Sequence, residues 1–213
     1  MDDAIRVVKA ARVVPIIRTN TADEAYALAR IVVEAGVPII ELTMTIPDVL
    51  GVVAACRRDF PSAVVAVGTV RTGAEARDAI GAGAMLLVTY KASEPVAQVG
   101  RDYGIPYILG AATPTEVDRC LELGSQVVKW FPAESWGIAG LKYLRGPLPE
   151  VECLVTGGIA LDRIGAWLAA GAVAVGLGGA LLAPGVGQAS VITSRVQAAW
   201  RWAHADQVRG DGP

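Results

Sequence analysis

A recurring unit restricts the fold of this chain more than any other feature: a helical stretch, then a glycine, then a short run of β-branched and apolar residues. The first complete unit begins at Thr21, which has Glu24 three residues later, a pattern typical of a helix N-terminus. Apolar residues follow at helical spacing, Gly36 ends the helix, and the strand 37–42 comes next. Such a unit predicts a strand reached through a crossover helix.

Units of the same kind recur along the chain. The predicted strands are 13–17, 37–42, 64–67, 85–88, 105–108, 126–131, 152–155 and 173–175. Their near-continuous apolar character predicts burial on both faces, as in a parallel sheet with right-handed crossovers. About eight such units close into a (β/α)8 TIM barrel, an α/β fold, which we expect to be a single domain over residues 1–206 with a frayed tail at 207–213. A doubly wound open sheet is the alternative, but no GxGxxG motif follows the first strand.

Charge and composition exclude several classes of function. The formal net charge of -2 gives no basic surface for nucleic acid or for a membrane, so we expect neither as a partner. The three cysteines lie far apart without CxxC spacing, which argues against disulfides and a zinc site. His204 is the only histidine, which nearly excludes histidine triads and multi-histidine metal sites. The N-terminus lacks the features of a signal peptide, and a reducing cytoplasm fits these observations best.

Two charged residues interrupt apolar strands. Lys129 lies in the run 126–131, where the two-residue strand period places it on one face with Val127 and Phe131. A buried lysine without a partner is usually pushed toward its neutral form, in which it is a nucleophile or Schiff-base former. The alternative is a lysine at a strand end whose head reaches water. Glu41 lies in the second strand, where a desolvated carboxylate would shuttle protons or form a structural ion pair with Lys129 or Arg18.

Polar residues or glycines follow nearly every predicted strand. In a barrel the loops after the strands build the site, so these positions are candidates for substrate binding. The candidates are Arg18, Thr43, Thr69, Tyr90, Lys91, Thr156, Gly157, Gly158, Gly178 and Gly179. The two glycine pairs end the last two strands, where such barrels often bind phosphate through backbone N–H groups, although glycines also mark ordinary turns. Arg18 would add a charge-assisted contact to an anion, or lie at the surface.

The combination resembles a known family, the 2-keto-3-deoxy-6-phosphogluconate (KDPG) and 4-hydroxy-2-oxoglutarate (KHG) aldolases, which are class I lyases on a TIM barrel. The resemblance runs from Val13 to about Pro184. It is carried by the segments 15–18, 41–43, 68–70, 113–116, 129–134, 145–147 and 156–158. The lysine segment and the Thr-Gly-Gly segment, in this order, are its most specific motifs.

The resemblance implies a role for each part of the site. Lys129 would form the Schiff base with pyruvate or a longer keto acid, and Glu41 would be the general acid/base acting through a bound water. Thr69 and its neighbouring amide would hold the keto-acid carboxylate. Residues at the distal anion would be Arg18, Gly157, Gly158 and Gly179. The products would be pyruvate and an aldehyde, glyceraldehyde 3-phosphate or glyoxylate. No metal or cofactor is implied, and family members are commonly homotrimers.

Several positions depart from the usual family pattern. Thr45 stands where many members have arginine, and Gly179 where a serine often helps to bind phosphate. Tyr90 and Leu109 each replace a proline, and Lys91 would add a cation near the substrate or lie solvated in a loop. The imine chemistry is untouched by these changes, but the phosphorylation state of the substrate is left open.

Three functions therefore stand as alternatives to an aldolase that cleaves a 2-keto-3-deoxy-6-phosphosugar acid or 4-hydroxy-2-oxoglutarate. The first is a pyruvate aldolase with a changed, non-phosphorylated substrate. The second is a phosphosugar isomerase or epimerase that uses Glu41 as its base, with Lys129 only electrostatic. The third is a catalytically silent barrel kept for binding or assembly. Every enzymatic hypothesis requires the side chains of Lys129 and Glu41 to lie close together in the fold.

Overall fold

The computed structural model describes residues 3–183 and 185–205, and in it eight parallel strands form a closed barrel. The strands are β1 (Val13–Ile17), β2 (Ile39–Thr43), β3 (Val64–Gly68), β4 (Leu86–Val88), β5 (Tyr107–Ala111), β6 (Val128–Trp130), β7 (Cys153–Thr156) and β8 (Ala174–Leu177). Each strand pairs with its neighbour in chain order, and β8 pairs with β1. The predicted TIM barrel is confirmed, and the open doubly wound sheet is excluded. The predicted tail 207–213 lies outside the described residues.

Helices surround the barrel. They are α1 (Asp3–Ala11), α2 (Ala22–Glu34), α3 (Val49–Asp59), α4 (Gly73–Gly81), α5 (Glu94–Tyr103), α6 (Pro114–Glu122), α7 (Ala133–Leu144), α8 (Ile164–Ala169), α9 (Gly179–Leu182) and α10 (Ala189–His204). Short 3-10 helices occupy Leu161–Arg163 and Val186–Gln188. The helix α1, which the strand pattern did not predict, packs against β1, β2 and β8. None of the described helices is long and apolar enough to cross a membrane.

Three of the helices begin in the same way. A threonine hydroxyl accepts a hydrogen bond from the backbone N–H of a glutamate three residues later, which satisfies one of the free donors of the first turn. The pairs are Thr21–Glu24, Thr72–Glu75 and Thr113–Glu116. The predicted helix start at Thr21 is thereby confirmed, with an N···O distance of 3.2 Å. The threonine cap therefore fixes the residue at which each of these helices begins.

The strands match the predicted ones apart from their ends, and β5 and β6 differ most. β5 begins at Tyr107 and extends to Ala111, because its small residues Gly110 and Ala111 pair with β6. These residues resemble a turn in the sequence. β6 is shorter than predicted and ends at Trp130: the next residue but one, Pro132, has no N–H to donate to a ladder. Every residue of all eight strands is buried, which explains their near-continuous apolar pattern.

Candidate active site

Lys129 and Glu41 meet inside the barrel. The Nζ of Lys129 donates to the two carboxylate oxygens of Glu41 at 3.0 and 3.4 Å. Lys129 is 6% exposed and Glu41 is fully buried. The two residues belong to β6 and β2, which lie in different parts of the barrel wall, so their side chains reach each other only across its interior. The reading of Lys129 as a snorkelling surface lysine is therefore wrong.

The strand period and one glycine explain how the pair forms. Val128 and Trp130 point away from the face that carries Lys129, and Trp130 packs against Trp136 with ring centroids 6.0 Å apart. On the other side of the pair, Gly68 lies beside the Glu41 carboxylate. A Cβ at Gly68 would lie 2.0 Å from the Glu41 Oε1, so this strand position accepts only glycine while Glu41 keeps its place.

A cavity of about 300 Å³ opens onto this pair. Six of the predicted site residues line it: Arg18, Glu41, Thr69, Tyr90, Lys129 and Thr156. Ile16 and Phe131 also line the cavity, and neither was predicted as a site residue. The signal for Phe131 was present, because it shares the strand face of Lys129. The cavity gives the lysine amine access to a ligand, which an ion pair of purely structural function does not need.

Thr69 holds a conformation that is rare for its type. Its φ angle is +59°, in the left-handed region that a β-branched residue seldom adopts. Its hydroxyl accepts a hydrogen bond from an Nη of Arg18 at 3.3 Å, and both residues line the cavity. Strained conformations of this kind cluster at functional sites, where the surrounding structure maintains them. The geometry therefore agrees with a ligand-binding role for this loop.

The predicted glycine pairs line a neighbouring cavity of about 400 Å³. It is formed by Ile16, the segment 156–160, Gly176 and the segment 178–180, so Ile16 and Thr156 border both cavities. A third cavity of about 490 Å³ joins Arg18 to Gly178 and Gly179. The cavities of the lysine amine and of the two glycine pairs thus share lining residues and lie side by side at the ends of the strands.

Thr156 stands between the two cavities. Its hydroxyl is buried, and in the part of the chain that the structure describes it has no hydrogen-bond partner. A Cβ at Gly176 would lie 2.3 Å from this hydroxyl, so the glycine provides the space that the hydroxyl occupies. An unpaired buried hydroxyl is costly, and a ligand in the cavity would supply its partner.

Two of the predicted site residues, Thr43 and Lys91, line none of these three cavities. Thr43 is fully buried and its hydroxyl donates to the carbonyl of Ile17 at 3.2 Å, a contact between neighbouring strands. Lys91 is exposed, with its Nζ 6.0 Å from the centre of the Tyr90 ring. The hydroxyl of Thr89 donates to the Lys91 carbonyl and fixes this turn at the barrel mouth.

The three cysteines are poor candidates for a nucleophile. Burial raises the pKa of the Cys56 thiol to about 11 and the pKa of the Cys120 and Cys153 thiols to about 12. Because the thiolate is the reactive form, these groups are inert near neutral pH. Within residues 3–183 and 185–205, no three His, Cys, Asp or Glu side chains are grouped so that they could hold a metal ion.

Comparison with known proteins gives a consistent result. The family model described as KDPG and KHG aldolase matches residues 4–195. A 2-dehydro-3-deoxy-phosphogluconate aldolase from Treponema pallidum is 33% identical over 159 residues, which cover 74% of this chain and 76% of that protein.

Two solved structures connect the fold with ligands. The KDPG aldolase of Zymomonas mobilis, described with 3-phosphoglycerate, is 25% identical with a TM-score of 0.85, covering 95% of this chain and 97% of its own. The KDPG aldolase of Legionella pneumophila, described with pyruvate captured as a covalent carbinolamine intermediate, is 26% identical with a TM-score of 0.78. That match covers 93% of this chain and 95% of the other.

Proposed function

This chain belongs to the KDPG and KHG aldolase family, and from that premise we propose that it is a class I aldolase that works through a Schiff base. Its substrate is a 2-keto-3-deoxy-6-phosphosugar acid or 4-hydroxy-2-oxoglutarate. Cleavage yields pyruvate and an aldehyde, glyceraldehyde 3-phosphate or glyoxylate. The observation that carries this assignment is the buried contact of 3.0 Å between the Lys129 amine and the Glu41 carboxylate at the wall of a cavity.

The proposed reaction uses Lys129 as nucleophile and Glu41 as acid and base. The amine adds to the substrate ketone to give a carbinolamine, which loses water to form a protonated imine. Glu41 then takes the proton from the aldol hydroxyl, directly or through a water, as the carbon–carbon bond breaks and its electrons move into the imine. The aldehyde leaves, the resulting enamine is protonated, and water releases pyruvate from Lys129.

We assign the two ends of the substrate to different loops. Thr69 and its neighbouring amide bind the keto-acid carboxylate, whereas Arg18, which also lines the cavity of Gly178 and Gly179, serves the distal anion. The distal anion lies toward the backbone N–H groups of the two glycine pairs, which line the adjacent cavities. Support comes from the structural relative that is described with 3-phosphoglycerate, a phosphorylated three-carbon acid.

Incubation of the protein with pyruvate and borohydride tests the central claim. We expect a stable mass increase that peptide mapping assigns to Lys129, because borohydride reduces the imine to a secondary amine. An isomerase or epimerase that uses Glu41 alone would give no adduct, and neither would a silent barrel. The covalent pyruvate described for a relative favours the aldolase over both alternatives.

A panel of keto acids tests the assignment of the distal anion. We expect the 6-phosphate of 2-keto-3-deoxygluconate to be cleaved with a kcat/KM at least about tenfold above that of the unphosphorylated acid, because charge-assisted contacts to a phosphate contribute about 1.5–3 kcal/mol each. The measurement is the rate of pyruvate release from each substrate. Equal rates would show that the glycine pairs bind no phosphate and would favour a non-phosphorylated substrate.

We also propose that the protein is a cytoplasmic homotrimer. The family resemblance supports the trimer, and so do the exposed aromatic side chains of Trp136 and Trp202, which are 48% and 50% accessible in the single chain. Sedimentation equilibrium measures the mass directly. A monomer mass at micromolar concentration would contradict the trimer without affecting the proposed reaction.

A further inference from the structure

Two loops of the site are tied together by contacts that the proposed reaction does not use. The first loop follows Lys129 and leads into α7; the second carries Gly157 and Gly158 and leads toward α8. The backbone N–H of Glu134, in the first turn of α7 directly after the first loop, donates to the carbonyl of Gly157 in the second loop at 3.1 Å. A Cβ at Gly157 would lie 3.1 Å from atoms of Phe131 and Pro132, so the two loops are already in close contact.

The Glu134 carboxylate connects these two loops to helix α8. Its Oε1 accepts a hydrogen bond of 3.0 Å from the indole N–H of Trp167, a fully buried residue of α8. The guanidinium of Arg163 lies farther away, at 3.8 Å, and is about half exposed. A buried indole N–H without an acceptor is costly, and a carboxylate is a strong acceptor, so the indole bond dominates the position of Glu134. Gly158 packs closely against the same side chain, because a Cβ at Gly158 would lie 3.2 Å from the Glu134 Cβ.

We propose that Glu134 and Trp167 are positioning residues that set the distance between the Lys129 imine and the loop that receives the distal end of the substrate. The inference rests on the proposed aldolase function. Phe131 lines the lysine cavity and Gly157 lines the next one, and Glu134 holds the two loops in register. A substrate bound at both ends needs this spacing, whereas pyruvate, bound only at the imine end, does not. Displacements of about 1 Å at such sites cost up to about 100-fold in rate.

Three variants of the full-length protein separate this role from general stability. Glu134→Ala removes the acceptor, Glu134→Gln keeps an amide oxygen that accepts from the indole, and Arg163→Gln is the matched control that removes only the cation. The readouts are the rate of pyruvate trapping by borohydride, and KM and kcat for 2-keto-3-deoxy-6-phosphogluconate. For Glu134→Ala we expect KM to rise about tenfold while pyruvate trapping keeps the wild-type rate, since the loss concerns substrate alignment. Glu134→Gln and Arg163→Gln should keep KM near the wild-type value.

Trp167→Phe provides an independent second variant, because it removes the donor while leaving an aromatic ring in the core. We expect Trp167→Phe to raise KM as Glu134→Ala does. The double variant Glu134→Ala/Trp167→Phe should have a KM no higher than that of either single variant, because both changes remove the same hydrogen bond. Unchanged KM in Glu134→Ala, an equal loss of pyruvate trapping, or a Glu134→Gln variant as impaired as Glu134→Ala would each overturn the positioning role. Failure of the wild-type protein to trap pyruvate would instead remove the aldolase assignment, so the two failures are distinguishable.

Discussion

Lys129→Ala is expected to eliminate the pyruvate adduct and to lower kcat/KM by at least about 10,000-fold, because none of the other described residues that line the cavity has an amine to form the electron sink that cleavage requires. The cavity contains one carboxylate, one guanidinium and several neutral side chains besides the lysine. A guanidinium stays protonated and is a poor nucleophile. The measurements are pyruvate release under saturating substrate and the intact mass after borohydride treatment.

The matched control for this experiment is Lys142→Ala. Lys142 is exposed on α7 and lines none of the three cavities of the site. Pyruvate trapping and turnover in Lys142→Ala should therefore match the wild type. Because Lys129→Ala leaves Glu41 buried without its partner, it should also lower the free energy of unfolding, by about 3–5 kcal/mol. An adduct that persists in Lys129→Ala would assign the nucleophile to another lysine and would contradict the mechanism.

Lys129 and Glu41 could be predicted from the sequence because each is a charged residue within an apolar strand. The barrel topology followed from the repeat of helix, glycine and strand, and the strand period placed Lys129 on one face of its strand. The same period places Phe131 on the face of Lys129, although its residue type alone does not indicate a site. These features could be predicted because each depends on a local sequence pattern with a defined spacing, which a single sequence is enough to show.

Other parts of the site depend on contacts between distant segments, which no local pattern reveals. The left-handed conformation of Thr69 is held by its surroundings, and its residue type would predict the opposite. The bond between Glu134 and Trp167 joins residues 33 positions apart. Thr43 shares the inward face of Glu41, yet its hydroxyl pairs with the carbonyl of Ile17 on the neighbouring strand and stays out of the cavity. Side-chain direction alone therefore does not predict which polar residues line the cavity.

Glu41→Gln is expected to lower kcat by about 100- to 10,000-fold, the range typical of a lost general acid or base. The amide keeps the size and position of the carboxylate but cannot take up the proton of the aldol hydroxyl. Pyruvate trapping should become slower but remain detectable, because the nucleophile is intact. The measurement is single-turnover kinetics with substrate, followed by trapping with pyruvate alone. Full turnover in Glu41→Gln would reduce Glu41 to the structural partner of Lys129.

Stability provides the argument that separates these two roles. A buried ion pair adds little net stability over apolar residues of the same volume, because desolvation offsets the attraction between its charges. The double variant Glu41→Leu/Lys129→Met replaces both charges by apolar side chains and should therefore unfold with a free energy similar to that of the wild type, while its pyruvate release falls to background. If the pair contributed net stability to the fold, this double variant would lose stability; if the pair is kept for chemistry, only activity is lost. Denaturant unfolding and turnover, measured on the same preparation, decide between the two.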